Sequence, residues 1–156
     1  VQAATRFSRA RFPGRPLALV GHSMGAAASV LAAADHREAD AVALVACPAD
    51  VLEVTATYLT EQGLPGGLMV RVLLPFWWPR AGGSFGPLTP ERRIGEIDVP
   101  MLVVHPELDT RVDRGHADRL AAAAGRPVTV VEGAGHSDVL ARPELVEVLG
   151  RFLGRL

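Results

Sequence analysis

The pentapeptide Gly-His-Ser-Met-Gly at residues 21–25 constrains this chain most, because it joins an apolar run to a run of small residues. Leu17–Val20 precedes it and an alanine-rich segment comes after it. A short apolar run is typical of a strand buried on both faces, and alanines favour a helix. A serine on a sharp strand-to-helix turn needs small residues two positions before and after it. Gly21 and Gly25 meet this need, so the pattern predicts a nucleophilic Ser23.

A glycine-rich strand-to-helix connection that happens to contain a serine is the alternative interpretation, and the context has to decide. Three further apolar runs predict strands at Ala41–Ala46, Pro100–Val104 and Pro127–Val131. Strands that alternate with helices form βαβ units, which have parallel strands and right-handed crossovers. We therefore predict one α/β domain over residues 1–156, with a parallel sheet of about four strands. The helical patterns lie at residues 1–12, 24–35 and 114–124 and after Pro143.

Residues 49–98 interrupt this alternation, because they contain no clear strand. Val51–Tyr58 has a helical pattern, and Leu68–Trp78 is the most hydrophobic stretch outside the strands. A connection of this length is uncommon in a compact domain unless it has a function. We predict a cap-like insertion over the functional site; the alternative is a segment that only covers the surface of the sheet.

A nucleophilic serine needs a base to accept its proton and a third group to orient that base. His136 follows the fourth predicted strand on a glycine-rich loop, so it is the candidate base, and a surface loop histidine is the alternative. Asp109 follows the third strand and is the candidate acid, while Asp50, after the second strand, competes with it. All of these positions lie at the carboxyl edge of the sheet, where ligands meet parallel α/β folds.

The other histidines have weaker claims to a role in catalysis. His22, beside the serine, is expected to fill the surroundings of the turn, whereas His36 and His116 are expected to be solvent-exposed. His105 could be combined with the candidate acid and base as a metal site, but the spacing has no metal-ligand signature. We also expect Glu107 and Asp113, which flank the candidate acid, to be solvated.

Composition limits the classes of function that remain. The formal net charge is -1 and the pI is near 6.6, which does not favour binding to nucleic acid. The single cysteine, Cys47, cannot form an internal disulfide, and we expect it to be buried and inert. No apolar run is long enough for a membrane span, and the N-terminal segment lacks the apolar core of a secretory signal. We predict a cytoplasmic protein with a small-molecule substrate and, without a phosphate loop or dinucleotide motif, no cofactor.

The order of Ser23, Asp109 and His136 along the strands resembles that of α/β-hydrolase-fold serine hydrolases. The resemblance rests on GHSMG at residues 21–25, VPMLVVHPELDTRV around Asp109, and Gly-His before a final helix. It implies a serine nucleophile, an aspartate acid and a histidine base at these positions, with the Met24 N–H as an oxyanion donor. It further implies hydrolysis of carboxylic esters or related acyl compounds through an acyl-enzyme. Pro106 departs from the pattern, which usually has glycine there.

The resemblance covers the C-terminal part of such a domain, from the helix before the nucleophile strand onward. It implies that Leu17–Val20 is an exposed apolar edge able to pair with another chain. The loop that gives the second oxyanion N–H has no counterpart before Ser23, and the chain begins with Val1, so we expect a fragment. The alternatives are an inactive half-domain, or an acyltransferase or thioesterase of this fold.

An apolar substrate pocket is expected beside the nucleophile. Its candidate side chains come from the turn and from the hydrophobic stretch of the predicted cap, although core packing accounts for the cap residues equally well. These candidate substrate-binding residues are His22, Leu68, Val72, Phe76 and Trp77.

Overall fold

Four parallel strands form a single sheet in a computed structural model that describes residues 1–36, 38–77 and 89–156. Their order in the sheet is their order in the chain. The strands are β1 (Ala18–His22), β2 (Ala41–Val45), β3 (Met101–Pro106) and β4 (Val128–Val131). The helices are α1 (Gln2–Arg11), α2 (Met24–His36), α3 (Val51–Glu61), α4 (Gly66–Trp77), α5 (Pro90–Arg93), α6 (Arg114–Ala124) and α7 (Pro143–Leu153), with short 3₁₀ helices at Ile94–Glu96 and Asp138–Ala141.

Every strand pair in the sheet is parallel, as the alternation of apolar and helical segments predicts. Ala18 pairs with Ala41, Val42 with Met101, and Val103 with Val128. All five residues of β2 are buried, since this strand has a neighbour on each side and helices on both faces. The structure thus confirms the predicted α/β fold with a four-stranded parallel sheet flanked by helices.

Alternate side chains of the strands divide the core between the two faces of the sheet. On one face, Leu44 packs with the small residues of α2, including Ala26 and Ala27, and with Leu120 of α6. On the other face, Val45 packs with Leu145 of α7. The alanines of α2 let this helix lie close to the sheet.

The β1 strand lies at one edge of the sheet and, among the described residues, pairs only with β2. Val20 is 49% exposed, although valine is typical of a buried strand. A groove of about 440 Å³ runs along this edge between α1 and α2. The edge expected at Leu17–Val20 is therefore exposed in the structure.

The segment between β2 and β3 begins with two helices that pack on each other. A Cβ atom on Gly66 would lie 1.9 Å from the carbonyl oxygen of Ala56, so glycine lets α4 cross α3 closely. Residues 78–88, which include Trp78 at the end of the hydrophobic stretch, lie outside the described residues. The chain returns to the core at Ile94, which is fully buried.

Cys47 is buried, as expected, and burial raises the pKa of its thiol far above the ordinary value. None of the helices in the described ranges combines the length and apolar character that a membrane crossing requires.

Candidate active site

The turn between β1 and α2 holds Ser23 in a strained backbone conformation. Its φ angle is 53°, in the left-handed region that residues with a Cβ atom rarely adopt. The turn is held from both sides: the Ser23 N–H donates to the Val45 carbonyl at 2.9 Å, and the Ser23 carbonyl accepts from Ala26 N–H at 3.0 Å. This conformation lifts the Ser23 side chain above the carboxyl edge of the sheet.

The two glycines of the turn differ in their surroundings. A Cβ atom on Gly21 would lie 2.5 Å from the Cα of Ala26, so the close approach of strand and helix requires glycine there. A Cβ atom on Gly25 would meet nothing within 4 Å. The expectation that both glycines must be small for strand and helix to approach is therefore wrong for Gly25, which faces the open groove beside β1.

Ser23, His136 and Asp109 form one line of hydrogen bonds. The His136 Nε2 lies 3.0 Å from the Ser23 Oγ, and its Nδ1 lies 2.8 Å from the Asp109 Oδ2. A carboxylate oxygen only accepts, so the proton of a neutral imidazole is on Nδ1, and Nε2 is free to accept from the serine hydroxyl. The structure thus brings the predicted nucleophile, base and acid within hydrogen-bonding distance of one another.

The carboxylate of Asp109 is fully enclosed, with its side chain 0% exposed. Its Oδ1 accepts from the backbone N–H groups of Arg111 at 2.9 Å and Val112 at 3.0 Å, which leaves Oδ2 for His136. These donors fix the carboxylate and compensate its removal from water. Pro106, where a glycine was expected from the family pattern, ends β3 without preventing this loop conformation.

The loop that carries His136 is held by two hydrogen bonds to the loop that carries Asp109, one between backbone groups and one to a side chain. Leu108 N–H donates to the Ala134 carbonyl at 2.8 Å, and Gly133 N–H donates to the Glu107 carboxylate at 2.8 Å. Glu107 was expected to be solvated, and its contact with Gly133 was not predicted. The signal in the sequence was its position in the same loop as Asp109. These two hydrogen bonds join the loops that carry Asp109 and His136.

Asp138 supports the same loop from its other side. Its Oδ1 accepts from Gly135 N–H at 2.9 Å, and its Oδ2 pairs with Arg142 at 3.1 Å. Desolvation acts to raise the pKa of the Asp138 carboxyl, but the Gly135 hydrogen bond and Arg142 outweigh it and lower the pKa. The lowered pKa keeps the carboxylate that accepts from Gly135 N–H ionised further into the acid range.

His22 is directed at this loop. Its Nε2 donates to the backbone carbonyl of His136 at 2.7 Å, and the centroids of the two rings lie 4.9 Å apart. Sequence reasoning expected His22 only to fill the surroundings of the turn and to line the substrate site.

The competing acid candidate, Asp50, has another role: it caps α3, since its carboxylate accepts from Leu52 N–H at 2.8 Å. Asp113, which was expected to be solvated, is largely exposed and caps α6 through Gly115 N–H at 2.7 Å. The structure therefore gives Asp50 a capping contact and Asp109 the contact with His136.

Two histidines are buried away from the nucleophile. His116 is 3% exposed, so the expectation that it faces solvent is wrong: its Nδ1 accepts from Ala49 N–H at 3.3 Å and joins α6 to the loop after β2. His105 is 1% exposed on β3, and burial lowers its pKa. Within the described ranges, no cluster of His, Cys, Asp and Glu side chains is arranged to hold a metal ion.

Three of the candidate pocket residues lie on one side of α4. Leu68, Val72 and Phe76 are four residues apart and are 59%, 53% and 67% exposed. Core packing, the alternative explanation for these residues, does not account for side chains that are more than half exposed. The side chain of Trp77 lies outside the described part of the structure.

The backbone N–H of Met24 is the first of α2. The first N–H groups of a helix have no partner within the helix, and the helix dipole makes this end favourable for negative charge. The Met24 side chain is 56% exposed, so the approach to this end of the helix is open.

Comparisons with known proteins give one consistent result. The sequence model of the alpha/beta hydrolase family matches residues 1–148. The esterase domain of a Rhodothermus marinus protein is 22% identical, with a TM-score of 0.67 over 99% of this chain and 67% of its own. An esterase of Pyrococcus furiosus is 19% identical, with a TM-score of 0.70 over 99% of this chain and 59% of its own. A serine hydrolase involved in carbazole degradation is 19% identical, with a TM-score of 0.67 over 98% of this chain and 69% of its own.

At these identities the structural likeness establishes a shared fold. The chain spans less than two thirds of the Pyrococcus esterase, at 59%. Comparison with curated protein sequences finds no match.

Proposed function

Because the chain belongs to the alpha/beta hydrolase family, we propose that it is a serine hydrolase of carboxylic esters or related acyl compounds. The observation that carries the proposal is the line of hydrogen bonds from Asp109 through His136 to Ser23, at 2.8 Å and 3.0 Å. This geometry suits proton removal from a hydroxyl during its attack on a carbonyl carbon.

In the first half of the reaction, the Ser23 Oγ attacks the acyl carbonyl carbon while His136 Nε2 takes the hydroxyl proton. The imidazolium that forms donates through Nδ1 to Asp109, whose enclosed carboxylate stabilises its positive charge. The negative oxygen of the tetrahedral intermediate accepts from Met24 N–H at the start of α2. His136 then gives its proton to the leaving alcohol, and the acyl group remains on the serine.

In the second half, water replaces the alcohol. His136 removes a proton from the water as it attacks the acyl carbon, and a second tetrahedral intermediate forms. The proton returns to Ser23 Oγ as the acyl bond breaks, so the carboxylic acid leaves and the free hydroxyl is restored. The same residues would support transfer to another acceptor, which is how a thioesterase or an acyltransferase would use this site.

We propose that α4, in the described part of the predicted cap-like insertion, lines a pocket for an apolar acyl chain. The exposed side chains of Leu68, Val72 and Phe76 support this proposal, since they give α4 an apolar side. The Val72→Ser and Phe76→Ser variants should then raise the KM for butyrate esters more than for acetate esters. Equal changes for both esters would argue against the pocket.

The direct test of the proposed function is hydrolysis of p-nitrophenyl esters by the protein and its Ser23→Ala variant. We expect the variant to lose at least about 10³-fold of the rate, because the nucleophile is gone. The Ser8→Ala variant, which makes the same change on α1, is the matched control and should keep the parent rate. Hydrolysis that survives Ser23→Ala would refute the proposal.

The alternative function is that of a half-domain that works only with a partner. The open edge of β1 favours it, because Val20 is half-exposed and unpaired strand edges accept further strands. In this case the chain alone would neither hydrolyse esters nor react with serine-directed inhibitors, and size-exclusion chromatography would detect association through the β1 edge.

A further inference from the structure

We propose that His22 is a positioning residue that holds the backbone of His136 at the nucleophile. The inference rests on the proposed function and deepens it. It states that a residue other than Ser23, His136 and Asp109 keeps the imidazole of His136 within hydrogen-bonding distance of the serine. Its basis is the hydrogen bond from His22 Nε2–H to the His136 carbonyl, at 2.7 Å.

The topology explains why His136 needs such a contact. Ser23 follows β1, whereas the loop of His136 follows β4, and these strands lie at opposite edges of the sheet. Neighbouring strands are 4.7–4.9 Å apart, so three steps separate the two strands by roughly 14 Å. The loop has to cross back over β3 and β2 before the imidazole can reach the serine.

The other hydrogen bonds of this loop join it mostly to residues that follow β3 or to residues that follow the loop itself. Gly133 and Ala134 bond to Glu107 and Leu108, which follow β3. Gly135 bonds to Asp138, the first residue of the short 3₁₀ helix that follows the loop. Among the hydrogen bonds described for the backbone of residues 133–136, the one from His22 joins the loop to the carboxyl end of β1.

The donor in this contact is defined. A carbonyl oxygen only accepts, so His22 Nε2 carries the proton. The two imidazole rings are tilted by 47° with centroids 4.9 Å apart, so His22 also packs against the ring of the base. His22 and Ser23 are neighbours in sequence, and together they hold His136 at its carbonyl and at its Nε2. If the loop at residues 133–136 moves, the distance between His136 Nε2 and Ser23 Oγ changes. The hydrogen bond from His22 restrains this movement.

Three substitutions separate the hydrogen bond from the bulk of the side chain. His22→Phe keeps a ring without the donor, His22→Leu removes both, and His22→Gln places an amide N–H near the Nε2 position. The readout is the second-order rate at which a fluorophosphonate labels Ser23, measured on protein shown to be folded by circular dichroism. His36→Phe, the same change at the end of α2, is the matched control.

We expect the donor-free variants to label about 10- to 100-fold more slowly, because small displacements of a catalytic group cost this much. His22→Gln should recover to within a few-fold of the parent, and His36→Phe should match the parent. Labelling by His22→Phe and His22→Leu within twofold of the parent would overturn the proposal. So would a His22→Gln rate as slow as theirs, because packing rather than hydrogen bonding would then be responsible.

Amide hydrogen exchange over residues 133–138 separates this proposal from the proposed function. If the hydrogen bond from His22 to the His136 carbonyl holds the loop, exchange should be faster in the donor-free variants and protection should return in His22→Gln. This expectation holds whether or not the protein hydrolyses an ester. If the fluorophosphonate never labels Ser23 in the parent protein, the proposed function is refuted. Hydrogen exchange then tests the role of the His22 hydrogen bond by itself. Unchanged exchange in His22→Phe and His22→Leu would overturn it.

Discussion

Asp109 is the residue on which the orientation of His136 depends most directly. Its enclosed carboxylate accepts from two backbone N–H groups and from the imidazole, so it has little freedom to rotate. A buried acceptor with this set of donors can only hold the imidazole in the tautomer with its proton on Nδ1.

The Asp109→Asn variant should therefore lose about 10³- to 10⁴-fold in kcat, because an amide nitrogen facing His136 favours the wrong tautomer. Ester hydrolysis measures the effect. Asp113→Asn is the matched control, since Asp113 is a largely exposed cap of α6 and asparagine caps a helix equally well. An Asp109→Asn enzyme within tenfold of the parent would show that another group orients the base.

At the scale of residues, the sequence indicated which three side chains meet at the carboxyl edge of the sheet better than it indicated the contacts of their neighbours. Ser23, Asp109 and His136 could be found because each follows an apolar run, and parallel strands bring their carboxyl ends to one edge. The contacts of Glu107 and His22 were missed, because the partners of these side chains depend on how two loops fold back across the sheet. His116 was misplaced because its helix has a polar composition, whereas its imidazole is buried against Ala49 N–H.

At the scale of elements, the turn between β1 and α2 determines where the Ser23 side chain lies. Gly21 and Gly25 are equally spaced from Ser23 in the sequence, but the space around them in the structure differs. Only Gly21 lies where a side chain would meet the backbone of α2.

Gly21→Ala should reduce the free energy of unfolding by about 1–3 kcal/mol and lower activity, because the new Cβ forces strand and helix apart. Gly25→Ala is the matched control: it should leave stability unchanged or raise it by up to about 1 kcal/mol, since alanine favours a helix and meets no atom there. Urea denaturation of both variants measures the difference. Equal losses in the two variants would contradict the distinct roles of the two glycines.

The strands and most helices were predictable because their patterns are local. The helix α6 ends at Ala124, as predicted, because Gly125 adopts the left-handed conformation with a φ of 62°. The helical start of the segment after β2 was also predictable. The second helix, α4, was not assigned from sequence because Pro75 lies inside it, and its crossing with α3 depends on the space left at Gly66.

At the scale of the whole molecule, His105 makes folding sensitive to pH. It is 1% exposed, and its Nδ1 has no hydrogen-bond partner in the described part of the chain. Burial lowers its pKa below the ordinary 6.5, and this effect outweighs the attraction of Asp109. The unfolded chain therefore takes up a proton first as the pH falls.

The stability that neutral His105 contributes is consequently lost as the pH falls below 6.5, by at most about 1.4 kcal/mol per pH unit. The His105→Phe variant should lose less stability than the parent between about pH 7.5 and 5.5. Urea denaturation at both pH values measures this. The same acid dependence in both proteins would contradict a buried neutral histidine.

The proposal that Ser23 is a nucleophile activated by His136 and Asp109 can be tested by mass spectrometry after treatment of the protein with a fluorophosphonate. We expect one adduct, on the peptide that contains Ser23, absent in Ser23→Ala and formed much more slowly in Asp109→Asn. An adduct on another residue, labelling that persists in Ser23→Ala, or no labelling of the folded chain would contradict it.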